Sequence, residues 1–111
     1  MNIQIFGTKK CKDTQKAERW FKERGIKYQF INLKEKEMST GEFNSVAKAV
    51  GSIDAMIDEN SKDYISIAYL TDDQIADKLF ENQATLLLTP VVRNGHQATR
   101  GMQPDVWSTW E

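Results

Sequence analysis

Ile3-Gln4-Ile5-Phe6-Gly7-Thr8-Lys9-Lys10-Cys11 opens this chain, and helical spacing follows it directly: Ala17, Trp20 and Phe21 stand at i, i+3 and i+4. The apolar run Ile3 to Phe6 reads as a short buried strand. The helix after it spans about Asp13 to Arg24 and stops at Gly25, a residue suited to the left-handed position beyond a helix. Cys11, the one cysteine of the sequence, therefore falls on the turn from first strand to first helix. Backbone N–H groups at a helix start have no intrahelical partner, and they favour thiolate over thiol, as do nearby lysines. A free thiol of pKa about 8.5 is only roughly 3% ionised at pH 7. A lone cysteine is often just a small buried hydrophobe. Lys9, Lys10, Lys12 and Asp13 around this one make a poor setting for core packing, so Cys11 reads as a nucleophile.

Working outward, Ile26 to Leu33 carries apolar residues on both alternating sides, which predicts a strand buried on both faces. Strand, helix and strand make a βαβ unit, expected to be right-handed and parallel. The middle is mostly helical. Ser39-Thr40-Gly41-Glu42 and Thr71-Asp72-Asp73-Gln74 are capping boxes, each leading into an apolar stripe. Ile53 to Ile57 predicts one short helix, and the polar stretch from Ser61 to Ala68 has no clear assignment. Leu86 to Arg93 is apolar and reads as a strand region, with the strand after Pro90 beginning at Val91. Asn94-Gly95 marks a two-residue hairpin, with His96 to Arg100 as the return strand. Pro104 suits the first turn of a closing helix through Val106, Trp107 and Trp110. The expected fold is α/β, a thioredoxin-like (glutaredoxin-like) βαβ…ββα mixed sheet. It forms a single domain over residues 1–111, with a helical insert over 39–85. In that plan a proline before the third strand is cis and faces the cysteine, and Pro90 is placed to do so.

Composition narrows the partners. The chain has 111 residues, 40% hydrophobic and 28% charged, with a net charge of −1. That is the size of one ordinary globular domain. Neither membrane nor direct nucleic-acid binding is expected: no apolar run reaches the length of a membrane span, and the charge is nearly balanced. The N-terminus lacks a signal-peptide pattern and one cysteine precludes an internal disulfide, so a cytoplasmic location is expected. One His and one Cys do not make a metal site, and His96 beside a hairpin turn reads as an exposed polar residue.

The stretch from Phe6 through Cys11 to Ala17, together with Glu18-Arg19-Trp20-Phe21, Thr89-Pro90-Val91-Val92-Arg93 and Gly101, resembles the glutaredoxin-coupled arsenate reductase family and its Spx-type relatives. The resemblance covers nearly the whole chain. It implies that Cys11 attacks an oxyanion or another small oxidised substrate, and that glutathione or glutaredoxin is the external reductant. No bound cofactor is implied. The candidate site is Cys11 as catalytic residue, with Thr8, Lys9, Lys10, Thr14, Thr89, Pro90 and Arg93 as substrate-binding residues. The family's reductases surround the oxyanion with three arginines, where this sequence places Asp58, Thr89 and Gln103. Arginine is a permanently charged planar fork and threonine a single hydroxyl. Each lost charge-assisted hydrogen bond costs about 1.5–3 kcal/mol, so poor arsenate reduction is expected. Lys9, Lys10, Arg93 and Arg100 are the cations left to compensate. The Spx-type relatives instead bind the RNA polymerase α subunit and sense oxidants through a Cys-x-x-Cys pair. The corresponding stretch here is Cys11-Lys12-Asp13-Thr14, without the disulfide switch, and Gly51 matches their polymerase-contacting glycine.

Overall fold

A computed structural model describes residues 2–110; the ends of the expected 1–111 domain, Met1 and Glu111, lie outside the described residues. Strand β1 (Ile3–Gly7) runs into helix α1 (Lys12–Glu23) and then strand β2 (Tyr28–Asn32). Helices α2 (Thr40–Val50), α3 (Tyr64–Ile67), α4 (Asp72–Glu81) and α5 (Gln83–Leu86) follow, with a 3-10 turn at Asp54–Met56. Strands β3 (Val91–Asn94) and β4 (Gln97–Arg100) and helix α6 (Pro104–Ser108) complete the chain. The sheet order is β2-β1-β3-β4. β1 pairs parallel with β2 and antiparallel with β3, and β3 pairs antiparallel with β4.

Alternation along β1 divides the core into two layers. Ile3 and Ile5, with Val92 of β3, meet Ala17 and Phe21 of α1 and Trp107 of α6. The Trp107 indole N–H, fully buried, donates to Thr99 Oγ1 at 2.8 Å, so its one polar atom is satisfied. Phe6 and Val91 point the other way, into a larger layer with Phe43 and Val46 of α2 and Ile75 and Leu79 of α4. Both predicted capping boxes are present, at Ser39 with Glu42 and at Thr71 with Gln74. Pro104 occupies the first turn of α6.

Several expectations need correction. β2 is an edge strand, and only Ile31 among its five residues is buried. Its apolar residues on both sides reflect partial cover, not a central position. Leu86 ends a helix, while Leu87 and Leu88 pair outside the sheet: Leu87 bridges to Ile57, and Leu88 N–H donates to Met56 O at 2.9 Å. The apolar run was long enough for a strand, but half of it is buried against the insert instead. The hairpin loop is Gly95-His96, because Asn94 stays in β3 opposite Gln97. Gly95 has φ 61, which suits the first loop position of a type II′ turn. Within Ser61–Ala68 the chain forms the single turn of α3.

Candidate functional site

β1 delivers the chain to one end of the sheet at Gly7, and Thr8 to Cys11 turns it back into α1. Cys11 N–H donates to Thr8 O at 3.2 Å, and Cys11 O accepts the first helical bond from Gln15 N–H at 3.1 Å. Cys11 is thus the N-cap of α1, in extended backbone geometry. The Gln15 side chain donates back to Lys9 O at 2.7 Å and pins the turn. Gln15 went unread in the sequence analysis, because a side-chain amide reaching six residues back has no motif.

β3 brings the facing wall. The Thr89–Pro90 peptide is cis, and Pro90 is anchored by Gly101 N–H donating to its carbonyl at 2.8 Å. Thr89 Oγ1 donates to Cys11 Sγ at 3.1 Å. The Thr89 carbonyl lies 3.9 Å from the same sulfur, a long contact for a weak thiol donor. Below the sulfur, the Thr14 hydroxyl is fully buried and has no hydrogen-bond partner of ordinary geometry. Gly7 makes room for it, since a Cβ at Gly7 would overlap the Thr14 side chain.

These groups decide the state of the thiol. Partial burial by itself pushes Cys11 up. The Thr14 hydroxyl, the Thr89 hydroxyl and the backbone N–H groups of Thr14 and Asp13 outweigh burial, and the thiol lies below its ordinary value. The hydroxyl of Thr14 favours the ionised sulfur without making a complete hydrogen bond in this geometry. Lys9 and Lys10 are exposed to solvent, where their charge is screened. The groups that lower the thiol are the two hydroxyls and the first-turn amides, in place of the lysines expected beside it.

The structure therefore brings together Cys11, Thr8, Thr14, Thr89 and Pro90, with Lys9 and Lys10 on the solvent side of the turn. Arg93 does not join them. It pairs in register with Gln4, two residues down β1 from Phe6, which faces Val91. Its guanidinium donates to Gln4 Oε1 at 3.3 Å and pairs with Glu42 at 3.8 Å, on the α2 face of the sheet. Its assignment to substrate binding is withdrawn on that ground: a third residue of an outgoing strand is carried away from the turn. Arg100 is at the correct end of the sheet, opposite Val91, yet it lines a separate cleft of about 290 Å³ with Ala49, Val50 and Gln103. Asp58 N–H donates to Leu86 O at 2.8 Å, and its carboxylate accepts from Asn60 N–H. Gln103 donates to Arg100 O at 3.3 Å. None of these side chains contacts the sulfur among the described residues. A cleft of about 370 Å³ between Leu33 and Thr85 also shares no residue with the Cys11 turn. Cys11 itself is half-buried.

Among the described residues, no group of three or more His, Cys, Asp or Glu stands together to hold a metal, and no helix is long and apolar enough to cross a membrane.

A helix-capping cysteine facing a cis-proline loop, on a four-stranded sheet of order β2-β1-β3-β4, defines the thioredoxin-like fold. Solved structures share it. The chain superposes on the arsenate reductase from Vibrio cholerae with a TM-score of 0.80 at 23% identity, over 96% of this chain and 94% of that one. An arsenate reductase (ArsC) related protein from Brucella melitensis matches with a TM-score of 0.74 at 16% identity, over 99% and 94%. The glutaredoxin from Archaeoglobus fulgidus is more distant, with a TM-score of 0.52 at 14% identity, over 96% and 82%. No family model and no curated protein sequence matches the chain. At these identities the likeness establishes the fold, with the helical segment between β2 and β3 included in the long matches.

Proposed function

We propose that the chain is a thiol-dependent reductase of the arsenate reductase type, with Cys11 as nucleophile and glutathione or glutaredoxin as the external reductant. The observation that carries this reading is the seating of Cys11 Sγ at the start of α1 against Thr89, with its thiol held below the ordinary value. Only the thiolate attacks. The substrate class favoured is a small mixed disulfide with glutathione. Cys11 thiolate attacks the glutathione sulfur, a sulfur–sulfur bond forms, and the substrate thiol leaves with a proton. A second glutathione then attacks the Cys11–glutathione disulfide, releases oxidised glutathione and restores the thiolate. Net, the sulfur of the free glutathione is oxidised to the disulfide level, the substrate sulfur is reduced to the thiol, and the glutathione thiol proton balances the one taken up by the substrate. Such a cycle belongs in the cytoplasm, where glutathione keeps thiols reduced.

Arsenate is the weaker substrate. Binding a dianion in line for attack rests on preorganised charge, and the residues around Sγ are hydroxyls and amides. Asp58, Thr89 and Gln103 supply no cation at the positions where the resemblance places arginines. The polymerase-binding alternative rests on Gly51. That residue ends α2 at φ 108, a backbone conformation that by itself accounts for glycine there.

The test is steady-state turnover of a glutathione–mercaptoethanol mixed disulfide, and of arsenate with glutathione and glutaredoxin. Turnover of the mixed disulfide is expected to fall by about 10³-fold or more in Cys11→Ser. Unchanged turnover in that variant would overturn the reading. Cys11-dependent arsenite production with kcat/KM of about 10⁴ M⁻¹s⁻¹ or above would show that other cations have replaced the arginines.

A further inference from the structure

Charge is divided between two parts of the molecule. From the end of α2 to the end of α4, residues 51–81 hold eight Asp and Glu against two Lys, a net charge of −6. The remaining residues hold eight acids against thirteen Lys and Arg, a net charge of +5. Within the acidic part lies a groove of about 340 Å³, lined by apolar side chains that include Ile57, Tyr64 and Leu70 and by the carboxylates of Asp54, Glu59 and Asp72. No lysine or arginine lines it. Beside it, Ile65 of α3 (75%) and Tyr69 in the turn after α3 (93%) are two of the three large hydrophobic side chains exposed among the described residues. Nothing in the fold requires either to be apolar, because Ile67 already anchors α3 in the core.

From this juxtaposition we infer that the α3 groove is a docking surface for a basic, amphipathic segment of a partner protein. Ile65 and Tyr69 supply apolar contact, and the three lining carboxylates select cationic residues flanking the apolar ones. Apolar outcrops next to a groove mark interaction sites more often than isolated surface hydrophobics do. Complementary charge sets partner choice and encounter rate. The same charge repels anionic lipid and nucleic acid, so a protein segment is the occupant. The surface shares no residue with the Cys11 turn, so the inference does not depend on the reductase reading.

The test titrates the full-length protein with a synthetic 18-residue helix of leucines and lysines, and with two controls: the same composition in scrambled order, and a leucine–glutamate helix. Amide NMR shifts and fluorescence anisotropy are the readouts. Shifts confined to residues 54–75 are expected, with the amphipathic basic helix binding at least about tenfold tighter than either control. Ile65→Ser with Tyr69→Ser should weaken it about tenfold or more. Asp54→Asn with Glu59→Gln should weaken it and flatten its salt dependence. Equal affinity for the scrambled peptide, shifts spread over the whole surface, or no binding would each overturn the inference. Sedimentation velocity covers the remaining occupant. Self-association removed by the Ile65 and Tyr69 substitutions would make a second copy of this chain the partner, and would overturn the inference as well.

Discussion

Two buried polar side chains, Thr14 beneath the cysteine and Gln83 under the helical segment, show opposite uses of the same physical cost. Both are fully buried. Gln83 is completely partnered: its Oε1 accepts from Met38 N–H at 2.7 Å, and its Nε2 donates to Met38 O at 3.1 Å and Phe80 O at 3.2 Å. It ties the chain after β2 to the end of α4. Thr14 Oγ1 has no such partner, although an unmade hydrogen bond to a buried group costs about 1–3 kcal/mol. The difference is in what each side chain faces. Gln83 faces backbone that never changes state, and Thr14 faces a sulfur that does. A satisfied group contributes to the fold, and an unsatisfied one favours the thiolate.

That contrast is easiest to break at Gln83. Gln83→Leu keeps the volume but leaves the Met38 N–H and carbonyl without partners in a dry site. A loss of about 2–4 kcal/mol in urea unfolding is expected, with no change in the pH profile of Cys11 alkylation. A shifted profile would mean that the two regions are coupled.

Thr14→Val tests the other side, removing the hydroxyl at nearly constant shape. Stability should hold or rise, because a buried unpaired group is removed. The thiol should titrate higher, and iodoacetamide alkylation at pH 6 should slow by about tenfold, the scale of one charge-assisted hydrogen bond. Lys9→Gln with Lys10→Gln should change that rate less than about twofold, since exposed charges are screened. A larger effect from the lysine pair than from Thr14 would make the lysines, and not the hydroxyl, the main cause of the lowered thiol.

The smallest expected effect is on stability against pH. Cys11 is an acid whose folded pKa lies below its unfolded value. Between the two values the unfolded chain binds the extra proton, so stability rises with pH across that window. The contribution is complete above the ordinary thiol pKa and is lost as pH falls through the folded value. Comparing the protein with Cys11→Ser by urea unfolding under reducing conditions, the difference in midpoint should move in favour of cysteine as pH rises. A difference independent of pH would mean that the thiol titrates alike in both states.

Elements written in local chemistry were legible beforehand. Ser39 with Glu42 and Thr71 with Gln74 announce their helices because a capping box is completed within four residues. Cys11 on the β1-to-α1 turn and Pro90 before β3 were legible for the same reason, since each stands next to the element it begins. Arg93 was misread because its direction follows from register with Gln4, a pairing across 89 residues. Leu86 to Leu88 misled because periodicity cannot tell a strand from a segment bridging to Ile57.

From the order of its residues alone, this chain is set to place one thiol at the start of a helix in an α/β fold, because caps, turns and hydrophobic spacing act over a few residues. Of the groups that act on that thiol, Thr14 and the first-turn amides are local in sequence, and the Thr89 hydroxyl came only with long-range pairing. β3 brought Thr89 Oγ1 to 3.1 Å from Sγ across 78 residues, Gly7 left space for the Thr14 hydroxyl, and strand register carried Arg93 away. Hydrogen bonds act over about 3 Å, and only the folded chain brings residues so far apart in sequence within that reach.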